Sequence, residues 1–237
     1  MHSPIPETSN INLYREKSLH RDLKTWYLGP SDRVEVNILG KVVDIFRDNS
    51  MIIEIQTRNL SSLKHKIELF LGKTNYQIRI VFPMPVHTTV ITLDKHLQEI
   101  RKRKSPKHFN PLNLFSEIIG IPHFLKNPRV SLELLLIKQT DLRCADGKGS
   151  WYRKGNSLLD KKLLSVEKQL LFNHPSDFMS ILPAPLPLLF TNKLLAHTFR
   201  CNYSTAAKIS YCLKKMDLIR VQQKLGNSFQ YIPSYFQ

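Results

Sequence analysis

The sequence predicts an α/β fold, in which a mixed sheet is flanked by helices and followed by a separate C-terminal module. Three strand patterns follow one another closely after a first helix, and a second helix and a fourth strand come next. A proline-rich stretch then precedes two short helices and a hairpin. A meander followed by a helical crossover needs helices on the faces of the sheet, and this requirement is the reason for the α/β assignment.

The first ninety residues carry the clearest patterns. Residues 12–27 have apolar side chains at helical spacing, and Gly29-Pro30 ends that helix. Apolar residues at two-residue spacing, separated by turn residues, predict the strands. Pro83 and Pro85 are expected to end the fourth strand. The predicted strands span residues 33–39, 41–46, 51–56, 77–84 and 88–93, and the second helix spans 59–71.

The rest of the chain divides into a basic extension, a linker and a C-terminal module. We predict a basic helix or linker at 95–107, helices at 112–125 and 158–171, and a strand at 131–138. In the C-terminal module we predict helices at 191–199 and 204–216 and a hairpin at 220–232. The sequence therefore predicts a first domain at 11–172, which consists of a core at 13–84 and a basic extension at 95–172. A Pro-rich linker at 173–188 connects it to a second domain at 189–237.

The charge of the chain indicates what it binds. Lys and Arg number 35 against 19 Asp and Glu, which gives a formal net charge of +16. A surplus of this size favours polyanionic partners and argues against a cationic substrate, although the charge could serve only to keep the protein in solution. The three scattered cysteines predict reduced thiols, and no signal peptide or apolar run of roughly 20 residues is present. We therefore expect a cytoplasmic protein that does not bind membranes.

Carboxylates in two predicted strands are the candidate chemical site. Asp44 and Glu54 each interrupt an apolar strand, where an ionised carboxylate is costly unless it is paired or holds a cation. Neighbouring antiparallel strands can bring them face to face, Gln56 shares the face of Glu54, and Glu16 could add a third carboxylate. Such oxygen ligands suit Mg²⁺ or Mn²⁺. The alternative is that these residues lie at strand ends and face solvent, as a helical glutamate such as Glu16 usually does.

These residues and the order of the elements resemble the PD-(D/E)XK nuclease superfamily, over roughly residues 13–84. In that superfamily an acid closes the second strand and (D/E)-x-K lies on the third, which here correspond to Asp44 and to Glu54-Ile55-Gln56. Some members also carry an acid on the first helix, which corresponds to Glu16. The usual lysine is Gln56 here, a change that some active members share. Lys64 or Lys66 on the following helix could replace the missing cation.

The resemblance implies Mg²⁺- or Mn²⁺-dependent hydrolysis of phosphodiester bonds in DNA. Asp44, Glu54 and Glu16 would hold the metal, Gln56 would orient a water or a ligand, and Lys66 would offset charge on the phosphate. Many members act as dimers, so a homodimer is compatible with the resemblance. The rival interpretation is a non-catalytic DNA-binding protein or transcription regulator on a degenerate nuclease-like scaffold. A nuclease directed at RNA would differ only in substrate.

The C-terminal module resembles the winged-helix family. The resemblance makes the second helix of this module the recognition helix and the hairpin the wing, with the start of the helix in the major groove. The alternative is a dimerisation or docking module. The predicted groove contacts are Tyr203, Ser204, Thr205 and Lys208, and the predicted phosphate contacts are Lys214, Lys215, Arg220 and Lys224.

Two cationic segments lie between these regions. The first is a run of four basic residues, which could equally be a solvated charged face. The second is a Gly-rich loop at 146–155 that mixes cations with aromatic rings, the composition of phosphate clamps and base-stacking platforms. Its glycine spacing excludes a P-loop. The predicted contacts are Arg101, Lys102, Arg103 and Lys104 in the run, and Lys148, Trp151, Tyr152, Arg153 and Lys154 in the loop.

Overall fold

The computed structural model describes residues 18–234, and its centre is a mixed sheet. The strands are β1 (Arg33–Ile38), β2 (Lys41–Arg47), β3 (Met51–Ile55), β4 (Gln77–Leu93), β5 (Glu99–Lys104), β6 (Val130–Cys144) and β7 (Ser157–Phe172). They run in the order β1-β2-β3-β4-β6-β7, and β5 pairs with β4 beyond the end of β3. The β3–β4 and β4–β6 pairs are parallel and the other pairs are antiparallel. The α/β class with a mixed sheet is therefore confirmed.

Helices cover both faces of this sheet. Those in residues 18–234 are α1 (Ser18–Tyr27), α2 (Lys64–Lys73), α3 (Leu114–Glu117), α4 (Asn192–Thr198) and α5 (Tyr203–Lys215). Leu23 of α1 packs in a cluster with Ile53, whereas Ile67 of α2 packs in a cluster with Ile52. Because successive strand side chains point to opposite faces, α1 and α2 lie on opposite faces of the sheet. No helix in this part of the chain is long and apolar enough to cross a bilayer.

The N-terminal half of the sheet matches the sequence prediction closely. Helix α1 ends at the predicted residue, and the predicted residues 12–17 lie outside the described part of the chain. The three-strand meander is present, and α2 provides the crossover that allows β3 and β4 to pair in parallel. A 3₁₀ turn at Leu60–Leu63 precedes α2, whose inward side chains are buried as expected.

Strand β4 is twice as long as predicted. The prediction of two strands, at 77–84 and 88–93, is wrong, because the chain continues as one strand through Pro83 and Pro85. Strand β3 pairs with β4 only as far as Val81, and the backbone of Val81 faces β3, as its hydrogen bond from Gln56 shows. Pro83 and Pro85 lie two and four residues after Val81, so their nitrogens point to the same edge of β4 as the backbone of Val81. Strand β3 has already ended at that point. No ladder hydrogen bond is lost there, so the prolines are tolerated.

Three other predictions for the middle of the chain are wrong. Residues 95–107 contain strand β5 and not a basic helix, and residues 158–171 form β7, where pairing along β6 overrides a helix-like apolar spacing. Residues 112–125 form only one α-helical turn between 3₁₀ turns. Gly120 and Pro122 interrupt this segment, and a Cβ at Gly120 would lie 2.0 Å from the hydroxyl of Ser61.

The C-terminal helices pack onto the α2 face of the sheet. After α4 and α5, strands β8 (Ile219–Leu225) and β9 (Ser228–Pro233) form the predicted hairpin. The side chain of Asn202 caps α5 by accepting the N–H of Thr205. The predicted linker at 173–188 is not a free tether, since Phe178 and Leu186 are buried in the core cluster that contains residues of the sheet and of α5.

Candidate functional site

The candidate site lies where β2 and β3 separate, which we call the fork. The backbones pair only from Ile45 to Arg47 and from Met51 to Ile53. Beyond that point side chains replace the ladder, since the N–H of Ile55 donates to Oδ2 of Asp44 over 2.8 Å. The backbone of Asp44 in turn lowers the pKa of Glu54, so it lies next to that carboxylate. Each predicted carboxylate therefore lies against the backbone of the other strand at the fork.

Asp44 is surrounded by side chains of α1. Nε2 of His20 lies 3.3 Å from Oδ2, and Nζ of Lys24 lies 3.8 Å from Oδ1. Lys24 also pairs with Glu35 on β1 at 2.9 Å. Burial raises the pKa of the Asp44 carboxyl, but hydrogen bonds and nearby positive charges outweigh it and hold the pKa below its ordinary value. Asp44 is therefore ionised at neutral pH.

Glu54 is more deeply buried and pairs with α2. Its residue exposure is 6%, and Nζ of Lys66 lies 2.6 Å from Oε1. Burial raises the pKa of Glu54 to about 7, against the lowering effect of the Lys66 ammonium. Lys66 also donates a hydrogen bond to the carbonyl of Val42, so it ties α2 to both strands of the fork. Glu54 can thus gain or lose a proton near neutral pH.

The structure brings together only part of the predicted set. Asp44 and Glu54 meet at the fork, where Asp44 pairs with His20 of α1 and Glu54 pairs with Lys66 of α2, and their negative charges are close enough to interact. Gln56 directs its amide into the next loop, where Nε2 donates to the carbonyl of Arg58 and the hydroxyl of Ser62. Glu16 lies outside the described residues.

The basic residues at the fork were only partly predicted. Lys66 is the lysine that reaches Glu54, and the alternative, Lys64, is an exposed residue at the start of α2. Sequence reasoning missed His20 and Lys24. Their spacing of four residues places them one turn apart on one side of α1, and this was the signal that could have found them.

The donor set at the fork fits a hard divalent cation in part. Mg²⁺ is usually bound by one or two carboxylates together with waters and substrate phosphate, and Asp44 and Glu54 supply two. Oε1 of Glu54 is fully buried, and its partner is Nζ of Lys66 at 2.6 Å. Residues 18–234 contain no group of three His, Cys, Asp or Glu side chains that could hold a metal ion. A cation would also compete with His20, Lys24 and Lys66.

The predicted DNA-contact residues of the C-terminal module are distributed unevenly. Ser204 is exposed at the start of α5, where Thr205 donates its N–H to the cap. Lys208 points inward, and its Nζ donates to the hydroxyl of Ser116 over 3.3 Å. Lys214 lies over the ring of Phe229, Lys215 lies over that of Tyr211, and the hairpin carries Arg220 and Lys224 on exposed positions of β8.

The two predicted cationic segments lie near each other at the far end of the sheet. Arg101, Lys102, Arg103 and Lys104 all belong to β5, which pairs with the last residues of β4. The Gly-rich loop joins β6 to β7 at the same end and carries Lys148, Trp151, Arg153 and Lys154. Counted along β4 from Val81 to Leu93, this end lies about 40 Å from the fork.

Comparison with known proteins gives a family but no function. A model of a domain of unknown function, DUF8091, matches residues 17–173, which includes the whole span from α1 to β7. An uncharacterized protein of Treponema pallidum (strain Nichols) is 29% identical over 197 residues, covering 82% of this chain and 78% of that protein. No solved structure matches the chain. The fork lies inside the matched region, whereas α4, α5 and the β8–β9 hairpin lie outside it.

Proposed function

The chain belongs to the DUF8091 family, and we propose that it hydrolyses phosphodiester bonds in DNA with the help of a divalent cation bound at the fork. The observation that carries the proposal is the ion pair of Lys66 with Glu54 beside Asp44. Lys66 supplies, from α2, the positive charge that is missing at Gln56, where the superfamily usually has a lysine. Two carboxylates and a lysine at the end of a split strand pair are the groups that such hydrolysis needs.

Each residue at the fork has a distinct role in this proposal. Asp44 and Glu54 would hold Mg²⁺ or Mn²⁺, which supplies a bound water of lowered pKa and positive charge next to the phosphate. Lys66 would offset negative charge on the phosphate oxygens. His20 and Lys24 orient Asp44. Gln56 keeps the loop at residues 58–62 in place and so acts on the site indirectly.

The substrate is argued from charge. A net charge of +16 favours a polyanion, and phosphate contacts release counterions, so binding should weaken steeply with salt. Exposed cations on the β8–β9 hairpin and on β5 would contact the DNA backbone, with the C-terminal module acting as a winged helix. We place this activity in the cytoplasm, where Cys144, Cys201 and Cys212 would remain free thiols. We also propose a homodimer, which sedimentation measurements would test.

A cleavage assay tests the proposal. Labelled duplex, single-stranded and branched DNA are incubated with the protein and Mg²⁺ or Mn²⁺, and the variants Asp44→Ala and Glu54→Ala are compared with wild type. We expect each variant to lose at least 100-fold in rate, because each removes a metal ligand. Glu68→Ala on exposed α2 surface is the matched control and should cleave normally. Cleavage that survives both substitutions, or no cleavage with either metal, contradicts the proposal.

A second function is supported by the cations at the fork. His20, Lys24 and Lys66 already neutralise the carboxylates, which is compatible with a non-catalytic DNA-binding protein that uses the fork as a structural element. Metal-independent DNA binding without cleavage would favour this alternative. Competition between duplex DNA, single strands and structured RNA would distinguish a DNA-directed protein from one directed at RNA.

A further inference from the structure

The most exposed aromatic rings among residues 18–234 lie far from the fork. Trp151 and Tyr152 occupy the tip of the β6–β7 loop and are 86% and 91% exposed, with ring centroids 5.5 Å apart. Exposing two large rings to water is unfavourable, since each could bury 150–250 Å² against a partner. Together with Lys154 and Gly155 they line a recess of ≈ 510 Å³. This position is therefore a candidate binding surface.

The loop that carries these rings is held by its own hydrogen bonds. Gly149 donates to the carbonyl of Gly155 over 2.8 Å, and Lys154 donates to that of Trp151 over 2.8 Å. The carboxylate of Asp146 accepts the N–H of Lys148 and the hydroxyl of Ser157. A Cβ at Gly149 would lie 1.8 Å from the carbonyl oxygen of Asn156, so this glycine is required for the close approach of the two loop strands. These hydrogen bonds therefore hold the loop that carries Trp151 and Tyr152 in a defined conformation.

The charges around the rings favour a polyanion. Lys148, Arg153 and Lys154 belong to the loop itself. The N–H of Ala145, just before the loop, donates to the carbonyl of Leu93 at the end of β4, and the basic strand β5 pairs with this end of β4. Asp146 and Asp94 have roles within the turns, because Asp146 accepts the N–H of Lys148 and Asp94 accepts the N–H groups of His96 and Gln98.

We propose that the Trp151–Tyr152 loop tip is a base-stacking site that binds unpaired bases of a nucleic-acid strand. Aromatic rings stack on the faces of exposed bases while nearby cations contact the backbone. In a duplex the bases already stack on one another, so the loop tip discriminates against fully paired nucleic acid. The site is separate from the fork, and it does not depend on hydrolysis there.

Tryptophan fluorescence tests this proposal directly. The Trp26→Phe variant leaves Trp151 as the reporter, and oligo(dT), a blunt duplex, heparin and phosphatidylserine vesicles are the four probes. We expect oligo(dT) to quench Trp151, whereas the duplex and heparin leave its emission nearly unchanged. Equal quenching by the duplex, or a blue shift with vesicles and no response to oligo(dT), overturns the proposal.

Affinity measurements on otherwise wild-type protein provide the second readout. The double variant Trp151→Ala/Tyr152→Ala should lose at least ~10-fold in oligo(dT) affinity while heparin affinity changes less than about 2-fold. Leu164→Ala, which removes an exposed apolar side chain from β7, is the control and should bind normally. Gly149→Ala keeps both rings but distorts the loop, and should also bind oligo(dT) more weakly. An unchanged oligo(dT) affinity in the double variant, or an equal loss for heparin, shows that the rings do not stack on bases.

Discussion

The two ends of the sheet use charge in opposite ways. At the fork, acidic and basic side chains are buried together and satisfy one another: Asp44 with His20 and Lys24, and Glu54 with Lys66. At the far end, cations and two aromatic rings lie in solvent, and the nearby carboxylates are used to shape loops. The fork is therefore coupled to folding stability, whereas the far end is free to bind a partner.

Removing the cation from the fork should have the largest effect on stability. Lys66→Ala leaves the buried Glu54 carboxylate without its partner, and breaking such a pair costs about 3 kcal/mol or more. The loss should be greatest at pH 8 and smaller at pH 5, where Glu54 can bind a proton. Urea unfolding of the variant at both pH values measures it.

Lys64→Ala is the matched control for this measurement. Lys64 begins the same helix and is exposed, so its removal should change the unfolding free energy by less than about 0.5 kcal/mol. Equal losses in the two variants would show that the Glu54 pair contributes nothing specific.

The pH dependence of stability should expose Glu54 itself. Because burial raises its pKa from 4.5 to about 7, the folded state binds more protons than the unfolded state between these values. The associated stability is fully present below pH 4.5 and is lost as pH rises through 7, by about 3 kcal/mol at most. Glu54→Gln cannot titrate. Metal-free wild type should therefore lose stability relative to this variant between pH 5 and pH 8, and a constant difference across that range contradicts the pKa.

The fork could be located from sequence, but its internal geometry could not. Asp44 and Glu54 stand out because each interrupts a short apolar strand, and the turn between these strands fixes which residues are opposite. Which helix supplies the partner of each carboxylate depends on how far β2 and β3 stay paired. The length of this pairing is set by side-chain hydrogen bonds, such as the one that the N–H of Ile55 donates to Asp44. The spacing of apolar residues in the sequence does not predict such hydrogen bonds.

The two strands that the prediction missed, β5 and β7, have a common physical cause. Residues 95–107 and 158–171 lack strong strand alternation, and they become strands because β4 and β6 extend far enough to pair with them. Long-range pairing therefore decided these elements, whereas local patterns decided the meander. The extension of β4 through two prolines depended in turn on where β3 ends.

The smallest stability effect is expected at the far end, and it sharpens the contrast most. Trp151→Ala/Tyr152→Ala removes two large rings, yet both are almost fully exposed, so little buried area is lost. We expect the unfolding free energy to change by less than about 0.5 kcal/mol, and the melting temperature by a few degrees at most, measured by circular dichroism. A loss comparable to that of Lys66→Ala would mean that the rings support the fold. If the double variant is as stable as wild type, Trp151 and Tyr152 do not support the fold. Partner binding would then be the reason why both rings are exposed.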